Sequence, residues 1–284
     1  MEQLTNISVI QALAEKHGFS FSKGLGQNFL INPSVCPRIA EMGGAEAGCG
    51  VLEIGTGFGV LTAELAKRAD KVAAVEIDTR LLPVLDETLS EFDNVKIINQ
   101  DILKTDVAAL LQEEFGSMPV SVCANLPYYI TSPILMLLLE SRLPITAITV
   151  MVQKETAQRL CAPVGTRESG AITVAVHYYG EPRRLFDVSR GSFMPAPKVD
   201  SAVIRIDVRK QPLDPELDEE FFFRMVRAGF SQRRKTIANS LGSMLNLPKE
   251  TVYSALRACD LAENARIESL NMEELIGLAK SLKG

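Results

Sequence analysis

A chain of 284 residues, 46% apolar and 23% charged, is long enough for one sizeable core and a smaller second unit, and its composition excludes disorder. The net charge of −5 argues against a uniformly basic nucleic-acid binder. Five scattered cysteines with no Cys-x-x-Cys pair exclude a disulfide framework or a zinc site, and two distant histidines, His17 and His177, leave metal catalysis and a Ser-His-Asp triad poorly supplied.

The N-terminal MEQLTNISVIQALAEKHG lacks the basic-then-apolar layout of a signal peptide, and the longest apolar runs, such as ILMLLL at 134–139, are too short to span a bilayer. A cytoplasmic protein is expected. In chain order, short β-branched runs at 51–54, 72–77, 95–99, 120–124 and 145–153 predict strands. Between them LTAELAKRA, TRLLPVLDETLSEF, VAALLQEEF and SPILMLLLES predict helices. That alternation means a parallel sheet covered on both faces. The runs AITVAVHYY at 171–179 and SAVIRIDV at 201–208 have no helix pattern between them and predict an antiparallel pair at the far edge of the sheet. His177, inside the first run, reads as structural. Beyond KQPLDPELDEE the patterns FFFRMVRAGF, TIANSLGSML, TVYSALRACD and MEELIGLAKSL are helical only. The expected division is a first domain over 1–211 and a helical domain over 212–284. Such a wound sheet, closed by an antiparallel pair, is the Rossmann-like class I S-adenosylmethionine-dependent methyltransferase fold, an α/β class, rather than a dinucleotide dehydrogenase.

Charge is uneven. Residues 221–249 hold Arg224, Arg227, Arg233, Arg234, Lys235 and Lys249 and no acidic residue, directly after the acidic LDPELDEE. The overall negative total therefore conceals a local basic face.

The first predicted strand runs into VLEIGTGFGVLT, where Gly55, Gly57 and Gly59 allow a tight strand-to-helix turn and close approach of a ligand to the backbone. Val60 breaks the Gly-x-Gly-x-x-Gly fingerprint, which disfavours a pyrophosphate. Glu76 ends the next strand and has the acceptors for two ribose hydroxyls; Asp101 follows the third and has one for an adenine amino group. Singly, each reads equally as a turn or a helix cap, and Asp78 and Asp106 are expected to be caps. Together, at consecutive strand ends, they point to an adenosine-type cofactor.

After the fourth strand comes CANLPYYITSPIL. Proline fixes its own φ and biases the residue before it away from helix, so Asn125, Leu126, Pro127 and Tyr128 form a turn with preset carbonyl directions. An exocyclic amine on adenine is a poor nucleophile, because its lone pair is delocalised into the ring. If the Asn125 side-chain oxygen and the Leu126 carbonyl each accept an N–H, nitrogen can move toward tetrahedral geometry, while Tyr128 stacks on the ring. The plainer alternative is a structural Asn-Pro turn.

With KGLGQNFL at 23–30, EIGTGFGVLT at 53–62, NLPYYIT at 125–131, FMPAPKVDSAV at 193–203 and RRKTIANSL at 233–241, the chain resembles the ribosomal RNA adenine N6,N6-dimethyltransferases of the KsgA/RsmA type over nearly its whole length. The resemblance implies S-adenosyl-L-methionine as cofactor and dimethylation of two adjacent adenines near the 3′ end of 16S rRNA. The implied partner is small-subunit RNA within a 30S assembly intermediate, linking the activity to subunit biogenesis. It further implies that Asn28 and Leu30 line the cofactor site with Gly55, Glu76, Asp101 and Asn125. Phe193 would lie across the target adenine from Tyr128, and Arg233, Arg234 and Lys235 would contact RNA phosphates. By residue type alone Phe193 reads as core and the RRK stretch as a solvated helix face. Two alternatives stay open: a large-subunit (23S) rRNA adenine dimethyltransferase of the macrolide-resistance type, and a non-catalytic RNA-binding factor of ribosome assembly. No membrane association is expected, and without a sustained heptad pattern a monomer is.

Overall fold

The computed structural model describes residues 4–20 and 27–283, so Lys23, Gly24, Leu25 and Gly26 of KGLGQNFL lie outside the described residues. The chain opens with α1 (Ile7–Lys16), capped by Asn6, whose side chain accepts from the Ser8 N–H. Next come the short β1 (Phe29–Leu30) and α2 (Val35–Met42). The wound part is β2 (Gly50–Ile54), α3 (Val60–Ala66), β3 (Lys71–Glu76), α4 (Leu82–Thr88), β4 (Val95–Asn99), α5 (Val107–Phe115), β5 (Val120–Asn125), α6 (Thr131–Glu140) and β6 (Ile145–Gln153). It is followed by α7 (Lys154–Cys161), α8 (Ala171–Tyr179), β7 (Gly180–Val188), β8 (Phe193–Met194) and β9 (Ser201–Val208). Helices α9 (Glu219–Ser231), α10 (Ile237–Leu245), α11 (Lys249–Ala258) and α12 (Met272–Lys283) complete it.

The main sheet has the order β4-β3-β2-β5-β6-β9-β7. Its first five strands are parallel, and β9 runs antiparallel to β6. Every residue of β2 is buried, so both faces of the sheet are covered, as its unbroken GVLEI run requires. The winding reverses at β2. The chain moves outward through β3 and β4, then returns to lay β5 on the other side of β2. The carboxyl ends of β2 and β5 therefore flank the point where such sheets bind ligands.

The expected edge pair needs correction. Residues 171–179 form α8, not a strand. The Thr173 hydroxyl accepts from the Gly170 N–H at 2.9 Å and donates to the Arg159 carbonyl at 2.7 Å, closing the first turn. Thr173, Val174, Ala175, Val176, Tyr178 and Tyr179 are all buried, so the run has no polar face to reveal its period, and burial overrides β-propensity. His177 accordingly sits on a helix, where burial lowers its pKa against the opposing effect of backbone hydrogen bonds at Ala162 and Leu160. The strand beside β9 is β7, whose GEPRRLFDV pattern is masked by Pro182 and two arginines. At the outer edge of a sheet a proline is tolerated.

The chain forms two compact units that are not contiguous in sequence: Met1–Ala157 with Arg183–Val208, and Gln158–Pro182 with Arg209–Gly284. A single division at 211/212 misses the excursion that carries α8. Aromatic packing explains it: the Tyr179 ring stacks on Phe223 with centroids 5.3 Å apart, Tyr178 packs against Phe222 at 5.4 Å, and both hydroxyls donate to Glu219 at 3.1 and 3.3 Å. In the first unit one core cluster gathers α2 and α3 residues such as Ile39 and Leu65 around Val51, Val72 and Cys123. A second joins α1 and α4 to Phe19, Phe29 and Phe58. Among the described residues no helix is long and apolar enough to cross a membrane.

Candidate active site

A cleft of about 340 Å³ opens at the carboxyl ends of β2, β3, β4 and β5, within the size range of small-molecule sites. Asn28, Leu30, Gly55, Glu76, Asp101 and Asn125 all line it, and so do Leu126, Pro127 and Tyr128. The register explains the convergence: Ile54 pairs with both Val75 and Ala124, so the residues that follow leave the sheet side by side.

The glycine turn needs its glycines. Gly57 has φ +55°, and a Cβ there would lie 3.1 Å from the Phe29 ring; Gly59, at φ +82°, is the cap of α3. Glu76 clamps this turn. Its Oε2 accepts from the Thr56 N–H and hydroxyl, each at 3.0 Å, and from the Gly57 N–H at 3.3 Å. Its Oε1 accepts from the Asp78 N–H at 2.9 Å. A carboxylate offers about four acceptor positions, so Oε1 keeps capacity for a ligand hydroxyl. Asp101 is also partly engaged: Oδ1 accepts from the Leu103 N–H at 3.1 Å, and Oδ2 lies 3.5 Å from the Lys104 ammonium. The cap role does not exclude a ligand role there. Asp78 and Asp106 are caps, accepting from the Arg80 and Ala109 N–H groups. Asp78 also takes two guanidinium bonds from Arg80 and one from Gln27, and the Arg80 bonds hold its carboxyl below the ordinary range.

On the other side of the cleft, the Asn125 amide nitrogen donates to the Asn28 carbonyl at 3.5 Å. That long contact turns the amide nitrogen toward Asn28, and Oδ1 accepts no hydrogen bond from the described residues. Pro127, at φ −56°, fixes the turn, and its carbonyl accepts from the Ile130 N–H at 3.1 Å. The Tyr128 hydroxyl shares a 2.8 Å hydrogen bond with the Ser201 hydroxyl on β9. Burial raises the Tyr128 pKa, opposed by Ser201, so the phenol stays neutral at physiological pH.

Two groups of expected residues stand elsewhere. Phe193 pairs opposite Leu30, which lines the cleft, and is 4% exposed; it belongs to the core cluster with Cys36 and Ile39 and is not itself among the residues that line the cleft, so the core reading of its residue type describes it in the cofactor-free protein. Arg233 donates to Glu268 at 2.7 and 2.9 Å and to the Arg167 carbonyl at 2.7 Å, whereas Arg234 and Lys235 are exposed. The sequence reading also missed part of the cleft. Glu53 lines it and is fully buried; among the described residues neither carboxyl oxygen has a well-formed hydrogen bond, the Thr62 hydroxyl being its one polar side-chain contact with a resolved effect. Burial pushes its pKa up to about 8, the Thr62 hydroxyl acts in the opposite direction, and the Glu76 charge adds to the rise. The signal was an acidic residue inside the apolar run VLEI. Ile77, Leu103 and Tyr129, which are 53%, 42% and 62% exposed, stand at the same cleft.

A family model described as ribosomal RNA adenine dimethylase matches residues 18–283. The ribosomal RNA small subunit methyltransferase A of Geobacillus thermodenitrificans is 50% identical over 273 residues, covering 94% of this chain and 92% of its own. Among solved structures, the 23S rRNA methyltransferase ErmE superposes with a TM-score of 0.70 at 32% identity, over 90% of this chain and 100% of that one. A dimethyladenosine transferase from Plasmodium falciparum superposes with a TM-score of 0.75 at 26% identity, over 88% and 95%. Over nearly its full length, and with its glycine turn and Asn-Leu-Pro-Tyr turn facing one cleft, the chain belongs to the ribosomal RNA adenine dimethylase family.

Proposed function

We propose that this protein dimethylates the N6 amines of two adjacent adenines near the 3′ end of 16S rRNA, with S-adenosyl-L-methionine as methyl donor and a 30S assembly intermediate as substrate. The observation that carries the reading is the Asn125 carboxamide, oriented by the Asn28 carbonyl and with Oδ1 uncommitted, in the same cleft as Gly55, Glu76 and Asp101.

The cleft fits a cofactor that joins an adenosine to an amino acid. Glu53 is an orphaned buried carboxyl, and a ligand ammonium supplies the partner it lacks. Glu76 Oε1 would accept from a ribose hydroxyl, Asp101 from an adenine amino group, and the exposed Ile77 and Leu103 would supply apolar faces to the purine. Bound there, the sulfonium supplies an electrophilic methyl group. Asn125 Oδ1 and the Leu126 carbonyl each accept an N–H of the target amine, which localises the nitrogen lone pair and aims it. Tyr128, held through Ser201, supports the base. The amine proton is lost to solvent after transfer, so the turn needs no strong base. Asn28 and Leu30 close the cofactor side, while Arg234 and Lys235, more than Arg233, meet RNA phosphates. The greater identity to a small-subunit enzyme, 50% against 32% for the 23S enzyme, favours the small-subunit target.

The test uses small ribosomal subunits lacking adenine dimethylation, the purified protein and methyl-labelled S-adenosylmethionine, followed by nucleoside mapping. Labelled N6,N6-dimethyladenosine near the 3′ end of 16S rRNA is the expected result. Label in 23S rRNA alone moves the target to the large subunit, and cofactor binding without any labelled RNA removes the catalytic reading.

A further inference from the structure

We infer that the Tyr129 ring is a stacking platform for an unpaired base next to the target adenine. The inference rests on the methyl-transfer reading and extends its substrate site by one nucleotide.

Tyr128 and Tyr129 are adjacent in one 3-10 turn, Tyr128–Ile130, yet their circumstances are opposite. Tyr128 is half-buried and tied through its hydroxyl to Ser201. Tyr129 is 62% exposed, lines the cleft, and makes no ring contact or hydrogen bond with the described residues. An aromatic ring left in water at a cleft mouth gains most from a flat partner, and every base has a π-face. The occupant follows from the neighbouring chemistry. With the target amine at Asn125 and Leu126 and its base on Tyr128, Tyr129 is the exposed ring that lines the same cleft, open to the base that neighbours the target. RNA modified at a base is presented single-stranded or unstacked, so that neighbouring base has lost a stacking partner of its own.

Steady-state kinetics on small subunits lacking adenine dimethylation, with cofactor affinity measured separately by calorimetry, tests this. Tyr129→Ala should raise KM for subunits about tenfold while kcat and the cofactor Kd each stay within about twofold of wild type. Tyr129→Phe and Tyr129→Trp should keep the wild-type KM, since the face and not the hydroxyl does the binding. An unchanged KM in an active Tyr129→Ala protein overturns the stack. So does a cofactor Kd that weakens in step with KM, which assigns the ring to the cofactor, or a Tyr129→Phe variant as impaired as Tyr129→Ala. A wild-type protein that binds cofactor but labels no ribosomal RNA overturns the methyl-transfer reading itself, and the stack with it.

Discussion

The cleft and the basic turn each contain like residues, of which one is committed to the fold and the rest are not. In the cleft Glu76 accepts four hydrogen bonds from residues 56, 57 and 78, while Glu53, also buried, has no well-formed hydrogen bond among the described residues. In the basic turn Arg233 is bound to Glu268 and the Arg167 carbonyl, while Arg234 and Lys235 point to solvent. Charge type does not separate the members of either set; satisfaction does. A committed group shapes the site, and an uncommitted one is held for a ligand.

Asn125 combines both conditions in one side chain, so its removal should have the largest effect. Asn125→Ala is expected to lower kcat by about 10²–10³-fold, the scale of losing one directed transition-state contact, with thermal stability little changed. Near-normal turnover would break the distinction between its tied nitrogen and its open oxygen. Glu76→Ala comes next and should damage two properties at once. Several donors of the glycine turn lose their acceptor, at about 1–3 kcal/mol for each left buried, so unfolding by denaturant should shift to lower concentration and cofactor binding should fall with it. Lost affinity at unchanged stability would show that Glu76 serves the ligand alone.

Glu53→Leu should act in the opposite sense on stability. The folded protein keeps a proton on Glu53 that the unfolded chain releases above its ordinary value of 4.5, so stability falls as pH rises from there to about 8. The slope approaches about 1.4 kcal/mol per pH unit for this one group. Denaturant midpoints of the cofactor-free protein between pH 5 and 8 should show that decline, flattened in Glu53→Leu, which should be the more stable protein at pH 8 and bind cofactor more weakly. A decline of the same steepness in the variant would place its origin elsewhere. The smallest effects belong to the basic turn. Arg233→Ala removes a half-exposed ion pair worth about 1 kcal/mol or less, and should move the melting temperature more than RNA affinity. Arg234→Ala with Lys235→Ala should leave the melting temperature in place and reduce the salt slope of RNA binding by roughly 2.

Much of this was legible in the chain. The five parallel strands lie within one residue of their expected limits at each end, because short apolar runs between helical patterns permit few other readings. That Gly55, Glu76, Asp101 and Asn125 would stand together at one cleft could be read because strand ends in a parallel sheet share one edge. The reading failed where burial erased periodicity. A helix with apolar residues on nearly every side looked like a strand at 171–179, and the strand after it carried a proline and two arginines. The helical unit likewise could not be delimited by composition, since its excursion through 158–182 is held by aromatic packing with residues far along the chain.

Local dihedral preference and spacing were enough to give the alternation of elements, the glycine turn, the Asn-Leu-Pro-Tyr turn and the carboxylates at the strand tips. Which polar groups are spent is a property of the folded molecule. Whether Glu76 holds a loop, Glu53 goes unpartnered, Phe193 joins the core or Arg233 is tied to Glu268 depends on neighbours distant in sequence, because hydrogen bonding and desolvation act between groups that folding brings together.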